Sequence, residues 1–260
     1  MCLILLGWQA HPDFPLVVAA NRDEYFARPT APAVFWPKAP NVLAGQDLQA
    51  GGTWMGTTRD GRFAALTNYR APEHHRADAP SRGPLVSRFL GDDQSPEAYL
   101  DALRRDPLDY NGFNLLVGDR HGLYWYSNVS REIHALVPGV YGLSNELLDT
   151  PWPKVRAAKS DLSRALAALP DETALLHLLR DDTIYPDEAL PRTGVSLELE
   201  RMLSAAFIKS TEGRYGTRSS TVLLRATTGR VSYDEQTWLP DASAGGRRRF
   251  TFHLLPEAKK

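Results

Sequence analysis

The sequence predicts an α+β protein in which antiparallel sheets are covered by helices. Apolar runs of strand length and amphipathic helical patterns come in separate blocks along the chain and do not alternate one by one. Asp60-Gly61 lies between two such runs, which is typical of an antiparallel hairpin. The chain shows no internal repeat, low-complexity stretch or linker, so we expect one domain over residues 1–260.

The first part of the chain is predicted to form strands, and two helices follow. Short apolar runs bounded by turn residues predict strands at residues 3–8, 16–20, 53–58 and 62–68. Helices are predicted at residues 82–90 and 96–105. For the second helix, Ser95 is the expected N-cap, Pro96 takes the first helical position and Glu97 lies in the first turn.

The remainder of the chain repeats this order of strands and helices. Strands are predicted at residues 113–117, 123–127, 132–137 and 140–143. An apolar stripe through Val155, Leu162, Leu166 and Leu169 predicts a helix over residues 153–169, and further helices are predicted at 171–180 and 196–205. The last strands are expected at 221–225, 230–234 and 249–254, and surface loops at 28–40, 74–80 and 244–248.

Cys2 is the most informative residue for function. As the only cysteine it excludes an internal disulfide and a cluster of thiolate ligands within one chain. It follows Met1 and has a small side chain of the kind that methionine aminopeptidases accept, so we expect the mature chain to begin at Cys2. A thiol and an α-amine, with reference pKa values of about 8.5 and 7.7–8.0, would then share one residue, and the amine would accept the thiol proton. A small buried structural residue is the alternative.

A predicted hairpin brings a polar cluster opposite the chain start. If strands 3–8 and 16–20 pair through a turn near residues 11–14, residue 2 lies opposite Asn21-Arg22-Asp23. There Asp23 would stabilise a protonated amine, and Arg22 would raise the thiolate fraction of the cysteine. The alternative is a solvated, charged strand end that leads into a loop.

Several long motifs then occur in order along most of the chain. They are Asn21-Arg22-Asp23-Glu24, Gly51-Gly52-Thr53-Trp54, Ala65-Leu66-Thr67-Asn68-Tyr69, the stretch from Tyr110 to Asp119, Tyr141-Gly142-Leu143-Ser144-Asn145 and Asp149-Thr150-Pro151-Trp152-Pro153-Lys154. Through them the sequence resembles the NRDE family, which includes the eukaryotic Transport and Golgi Organization 2 proteins. The resemblance runs from Cys2 to about Arg225, with Gln46 where many members have arginine.

The resemblance implies an N-terminal-nucleophile hydrolase-like fold with four layers in the order αββα. Within that superfamily the nearest chemistry is that of the choloylglycine hydrolases, which are cysteine amidases that cleave linear amides or acyl conjugates. The site residues implied in this way are Cys2 as nucleophile and base, Asp23 as the carboxylate that holds the amine, Asn68 and Asn145 at the oxyanion site, and Arg218 and Arg22 as active-site arginines. From the same motifs we expect Asn21, Trp54 and Tyr69 to bind substrate.

One feature departs from the amidase pattern. The amidases place their arginine and aspartate three positions apart, whereas Arg22 and Asp23 are adjacent. Neighbouring strand side chains point to opposite faces, so Asn21 and Asp23 share the active face only if Arg22 points elsewhere or a bulge intervenes.

The sequence therefore predicts a cysteine amidohydrolase that acts on carbon–nitrogen bonds other than peptide bonds, with no cofactor or metal. The alternative is a non-catalytic protein that binds or transfers haem, lipid or acyl-CoA on the same fold. A formal net charge of −1, from 30 Lys and Arg against 31 Asp and Glu, argues against a nucleic-acid partner. No apolar run approaches the roughly 18 residues of a membrane helix, so we expect a cytoplasmic protein whose partner is a small amide or acyl substrate.

Overall fold

Thirteen strands, five α-helices and three short 3₁₀ helices make up the regular structure of the described residues. The computed structural model describes residues 2–105, 109–209 and 212–257. The strands are β1 (Cys2–Trp8), β2 (Leu16–Tyr25), β3 (Thr30–Trp36), β4 (Ala39–Asp47), β5 (Met55–Thr58), β6 (Phe63–Asn68), β7 (Phe113–Gly118), β8 (Leu123–Ser127), β9 (Ile133–Ala135), β10 (Gly139–Leu143), β11 (Tyr215–Arg225), β12 (Arg230–Trp238) and β13 (Ala244–His253). The helices are α1 (Gly83–Gly91), α2 (Pro96–Arg105), α3 (Pro153–Ala165), α4 (Thr173–Leu178) and α5 (Leu197–Leu203).

These strands form two antiparallel sheets. Sheet A has the order β10-β1-β2-β11-β12-β13, and sheet B has the order β3-β4-β5-β6-β7-β8-β9. The first two strands of the chain are neighbours near the centre of sheet A, with β10 and β11 on their outer sides. Every pairing within the two sheets is antiparallel.

Three apolar clusters define four layers. Alternate residues of β1 point to opposite sides, so Ile4 packs between the two sheets while Leu5 packs towards α3 and α4. A third cluster joins the outer face of sheet B to α1 and α2. The order is therefore helices, sheet A, sheet B, helices, which confirms the predicted α+β fold with αββα layers. Among the described residues, the helices lack the length and apolar content needed to cross a membrane.

Local signals predicted several elements well. Helix α2 and strand β8 have the predicted bounds, and Ser95 Oγ accepts a hydrogen bond from Ala98 N–H at 3.2 Å, as expected of an N-cap. Most other predicted elements are present with shifted ends, and the helix predicted over residues 153–169 ends at Ala165 and continues as a short 3₁₀ turn.

Two predicted surface loops are wrong, because both contain edge strands. Residues 28–40 contain β3 and the start of β4, and residues 244–248 open β13. Strand β3 lies at the edge of sheet B and its register shifts between Ala31 and Val34, so Pro32 is tolerated without a ladder hydrogen bond. Strand β13 lies at the edge of sheet A, and its first half, residues 244–248, lacks the apolar alternation of a covered strand.

Arg225 joins the two sheets at the end of β11. Its side chain is 5% exposed, and Nη1 donates hydrogen bonds to the carbonyl oxygens of Gly61 at 2.9 Å and Asp119 at 2.8 Å. Both acceptors belong to turns of sheet B, between β5 and β6 and between β7 and β8. One buried guanidinium therefore holds two hairpins of one sheet against the other sheet.

We expect Arg225→Met to destabilise the fold. The substitution leaves two carbonyl groups without their donor, and an unsatisfied buried polar group costs about 1–3 kcal/mol. Urea denaturation monitored by tryptophan fluorescence measures the difference in the free energy of unfolding. Arg230→Met, at an exposed position of β12, is the matched control and should leave that free energy nearly unchanged. Equal stability of the two variants would contradict the role given to Arg225.

Candidate active site

A cleft of about 950 Å³ opens where β1 begins. It is lined by residues from four strands: Cys2 of β1, Arg22 and Asp23 of β2, Asn68 at the end of β6, and Arg218 of β11. Cys2 lies opposite Arg22 in the register of β1 and β2, within the range 21–23 predicted from the hairpin. The predicted polar cluster is thus part of a long strand and not a loop, because β2 continues to Tyr25 between β1 and β11.

The Cys2 thiol lies in a shielded position. The residue is 8% exposed, and its carbonyl oxygen accepts a hydrogen bond from Ser144 Oγ at 3.1 Å. Burial raises the pKa of the thiol above its ordinary value, and this effect outweighs the opposing influence of Arg22. The expected gain in thiolate fraction from Arg22 is therefore overridden by desolvation, so the thiol needs a base to react near neutral pH.

Asp23 is held in place from β11. The residue is 2% exposed, and Oδ1 accepts a hydrogen bond from Thr217 Oγ1 at 2.7 Å. The same hydroxyl oxygen accepts a hydrogen bond from Ile208 N–H at 2.8 Å, which fixes its orientation. Burial raises the pKa of the Asp23 carboxyl, although Lys154 and Thr217 act to lower it.

Arg22 and Asn21 lie on opposite faces of β2, and only Arg22 lines the cleft as expected. Arg22 lines the cleft, where its guanidinium lies 3.6 Å from the Glu24 carboxylate. Asn21 is fully buried on the other face, and its Nδ2 donates hydrogen bonds to the carbonyl oxygens of Leu179 and Ala206, both at 2.8 Å. The expected placement of Asn21 in the substrate cleft is therefore wrong, because strand side chains alternate and Arg22 takes the cleft face.

A β-bulge explains the position of Arg218. Asp23 pairs with Thr217 and Arg22 pairs with Ser219, so Arg218 is the extra residue of β11 at this point. Its Nη1 donates hydrogen bonds to the carbonyl oxygens of Tyr25 at 2.9 Å and Arg28 at 3.0 Å. Arg218 therefore forms part of the cleft wall and also fastens the turn between β2 and β3.

The two asparagines of the expected oxyanion site come together across the sheets. Asn145 Nδ2 donates a hydrogen bond to the carbonyl oxygen of Asn68 at 2.8 Å, and Arg70 N–H donates to the carbonyl oxygen of Asn145 at 2.7 Å. Asn68 lines the cleft, whereas Asn145 is fully buried behind it. The amide of Asn145 therefore positions the backbone of Asn68.

The two expected aromatic contacts differ in placement. Trp54 lines the cleft and packs against the cluster between the sheets. Tyr69 is not among the cleft-lining residues, and its hydroxyl donates a hydrogen bond to Glu146. Burial and that carboxylate together raise the pKa of Tyr69 to about 12. Of the two aromatic residues, therefore, Trp54 lies at the cleft and Tyr69 does not.

Three further charged residues of this region were missed in the sequence. Arg82 precedes α1 and lines the cleft, Glu235 of β12 is 3% exposed and also lines it, and Lys154 of α3 is 3% exposed. Glu235 Oε1 accepts a hydrogen bond from Ala33 N–H at 2.7 Å, and burial raises the pKa of its carboxyl. Lys154 belongs to a recognised motif, but nothing in its local pattern indicates burial.

The cleft carries excess positive charge. Several of its arginines form ion pairs, but Arg82, Arg218 and Arg248 form none among the described residues. Arg82 donates one hydrogen bond, from Nη1 to the carbonyl oxygen of Gly112 at 3.0 Å. Guanidinium groups without carboxylate partners are suited to bind carboxylate, sulfonate or phosphate groups.

The motifs that cover this site agree with a comparison to known families. The family model described as Transport and Golgi organisation 2 matches residues 1–240. The chain belongs to this family. Similar proteins include the Transport and Golgi organization protein 2 homolog of Bos taurus, which is 36% identical and aligns over 92% of this chain and 94% of its own length. The homolog of Mus musculus is 34% identical over 98% and 99% of the two chains.

More distant members and solved structures also align. The Transport and Golgi organization protein 2 of Drosophila melanogaster is 28% identical over 91% of this chain and 92% of its own. A Caenorhabditis elegans N-acylethanolamine-hydrolyzing acid amidase ortholog aligns with a TM-score of 0.49 and 11% identity, over 86% of this chain and 92% of its own. The C2A mutant of conjugated bile acid hydrolase from Clostridium perfringens aligns with a TM-score of 0.46 and 13% identity, over 98% and 92% of the two chains.

We expect Asp23→Asn to change the pH dependence of stability. Because burial raises the pKa of the folded carboxyl, the folded state keeps a proton that the unfolded state releases near pH ~4. The contribution of this proton is present below that pH and is lost as the pH rises through the folded pKa. Relative to the wild type, the free energy of unfolding of Asp23→Asn should therefore increase between pH 4 and 7, as measured by urea denaturation.

Asp47→Asn is the matched control for this measurement. Burial acts to raise the pKa of Asp47, but hydrogen bonds from Arg28 and from backbone N–H groups outweigh it and the net pKa is lowered. The relative stability of this variant should fall as the pH rises from 3 to 6. Parallel pH profiles for the wild type and Asp23→Asn would show that the Asp23 carboxyl ionises normally.

Proposed function

We propose that this protein is a cysteine amidohydrolase that cleaves a linear amide or acyl conjugate with Cys2 as its N-terminal nucleophile. The observation that carries the proposal is the position of Cys2 at a cleft of about 950 Å³, in register with Arg22, with Asp23 also lining the cleft. Family membership supports the proposal because the matched residues 1–240 include the motifs that line this cleft. The proposal requires a mature chain that begins at Cys2, and Met1 lies outside the described residues.

In the proposed reaction Cys2 supplies both the nucleophile, its thiolate, and the base, its α-amine. The α-amine of Cys2 accepts the thiol proton, and the thiolate attacks the substrate carbonyl to form a tetrahedral intermediate. The C–N bond then breaks as the ammonium returns the proton to the leaving nitrogen, which leaves a thioester. Water, activated by the same amine, adds to the thioester, and C–S cleavage releases the acid and restores the thiol.

The neighbouring groups have supporting roles. Asp23 stabilises the ammonium form of the amine, since a buried carboxylate favours a cation in contact with it. Asn68 faces the cleft and would donate to the oxyanion with nearby backbone N–H groups, a role in which one donor is worth about 2.7–4 kcal/mol. Asn145 acts through Asn68, whose backbone it holds at 2.8 Å.

We expect Cys2→Ala to abolish both turnover and adduct formation. Intact-mass spectrometry after incubation with an N-acyl amide should show an acyl adduct on the wild type, and an assay for released amine should show turnover. Circular dichroism establishes that the variant is folded. A wild-type mass that still includes Met1 in active protein, or undiminished amine release by Cys2→Ala, would contradict the mechanism.

The unpaired arginines of the cleft indicate a substrate with an anionic group. An N-acylglycine and the matching N-acylglycinamide have nearly the same shape and differ in the charge of the terminal group. Loss of one charge-assisted hydrogen bond costs about 1.5 kcal/mol, so Arg82→Gln should raise KM for the N-acylglycine about tenfold and leave the neutral amide nearly unchanged. Steady-state kinetics with both substrates measure the difference.

Arg88→Gln is the matched control for that experiment. Arg88 lies on α1, the helix that Arg82 precedes; it is exposed and does not line this cleft. A similar rise in KM for both substrates with Arg82→Gln would indicate a structural effect and not charge recognition. The carrier alternative is tested in parallel: a shifted Soret band with haemin, without any Cys2 adduct, would favour binding or transfer over hydrolysis.

A further inference from the structure

Lys154 is a buried cation in the first turn of α3. It is 3% exposed, and its Nζ donates hydrogen bonds to the carbonyl oxygens of Leu203 at 2.8 Å and Ala205 at 3.4 Å. Among the described residues it has no ion pair with a carboxylate. A buried ammonium held only by carbonyl groups is costly, and an apolar side chain would fill this position at lower cost. Its charge therefore needs an explanation other than stability.

The segment that Lys154 contacts also orients Asp23. Residues 203–208 begin at the last residue of α5 and are hydrogen-bonded to Asn21 of β2 and Thr217 of β11. Ile208 N–H donates to Thr217 Oγ1, and that hydroxyl donates to Asp23 Oδ1 at 2.7 Å. Lys154 and Asp23 thus belong to one buried polar layer, and both are anchored to the same stretch of backbone.

The charged groups that act on Lys154 come from three elements and one loop. Asp23 of β2, Cys2 of β1 and Glu200 of α5 act to raise the pKa of Lys154, and Arg70, which follows β6, acts to lower it. Glu200 and Arg70 form their own ion pair at 2.8 Å, so their charges largely cancel. The acids left to interact with the ammonium are therefore Asp23 and Cys2.

Two pKa shifts set the pH range in which this charge acts. Burial lowers the pKa of Lys154 to about 8, so the side chain is mostly protonated at pH 7 and loses its charge as the pH rises. Tyr215 of β11 also faces Asp23 and Cys2, but burial raises its pKa well above its ordinary value and it remains a neutral phenol. Near neutral pH, Lys154 is therefore a charged group of this layer that forms no ion pair with a carboxylate among the described residues.

We propose that Lys154 is a positioning residue for the nucleophile: its buried ammonium favours the anionic forms of Asp23 and Cys2 from behind the cleft, without touching substrate. The inference rests on the proposed role of Cys2 as nucleophile but requires no particular substrate. It goes beyond an anchoring role, because an anchor for residues 203–208 needs hydrogen-bond donors and not a charge.

The experiment measures the rate at which iodoacetamide alkylates Cys2 between pH 6 and 10.5, followed by intact mass. In Lys154→Met the rate at pH 7.5 should fall about threefold or more, equivalent to half a pKa unit, and the profile should shift to higher pH. Lys154→Arg keeps the charge and should lie closer to the wild type. Urea denaturation of each variant records stability separately.

Ser204→Ala is the matched control, because it loosens the same segment without a change of charge. Ser204 Oγ donates to the carbonyl oxygen of Arg201 at 2.7 Å and accepts from Tyr185 N–H at 3.1 Å. This variant should lose stability while its alkylation profile stays that of the wild type. A shift as large as that of Lys154→Met would overturn the proposal in favour of simple ordering of the segment, and so would an unshifted profile for Lys154→Met.

The wild-type profile supplies a second measurement in case Lys154→Met does not fold. The α-amine of Cys2 and the Lys154 ammonium both ionise in this range, whereas the guanidinium of Lys154→Arg stays charged. The wild-type alkylation rate should therefore fall below that of Lys154→Arg as the pH rises through about 8. Coincident profiles of these two proteins would overturn the proposal. Absence of amide hydrolysis together with this difference would remove the proposed function alone, since alkylation does not depend on turnover.

Discussion

The register between β1 and β2 decides which side chains meet at the start of the chain. A slip of one residue would turn Cys2 from the cleft towards the helices, because strand side chains alternate. The apolar pattern of β1 does not set this register, since the strand is buried on both faces. The turn does so through the hydrogen bond from Gln9 N–H to the carbonyl oxygen of Pro15 at 2.8 Å, and the flanking strands β10 and β11 hold the pair on either side.

This register buries polar side chains of β2 beneath the cleft, and neighbouring elements must supply their hydrogen-bond partners. Three buried polar side chains, each at most 3% exposed, are linked to residues 203–208. Asn21 and Lys154 donate hydrogen bonds to carbonyl oxygens of this segment. Asp23 is linked to it through the hydroxyl of Thr217, which accepts a hydrogen bond from Ile208 N–H. The energetic cost of dehydrating such groups is recovered only in part by their hydrogen bonds. Several buried polar groups with such unrecovered dehydration costs lie close to one thiol, which is the pattern expected of a functional site.

Much of this arrangement follows from local signals in the sequence, and the remainder does not. Helix α2 was predictable because Ser95 and Pro96 act within one turn, and the position of Cys2 opposite Arg22 required only one short hairpin. Edge strand β3 and the first half of β13 lack the apolar alternation that identifies a covered strand. Lys154 was missed because its partners lie 49 and 51 positions away, and because lysine is usually exposed.

Arg22 and Arg218 bring positive charge to the cleft wall near Cys2. The bulge on β11 leaves Arg218 unpaired in the ladder, so two arginines reach the same wall from neighbouring strands. Burial nevertheless keeps the pKa of Cys2 raised, so nearby positive charge alone does not generate a thiolate. A base in contact with the sulfur is required, and in a chain that begins at Cys2 the α-amine, with a reference pKa of about 7.7–8.0, is already attached to the same residue. In the proposed mechanism the amine would move the proton, Lys154 and Asp23 would set the charge around it, and the cleft arginines would recognise the substrate.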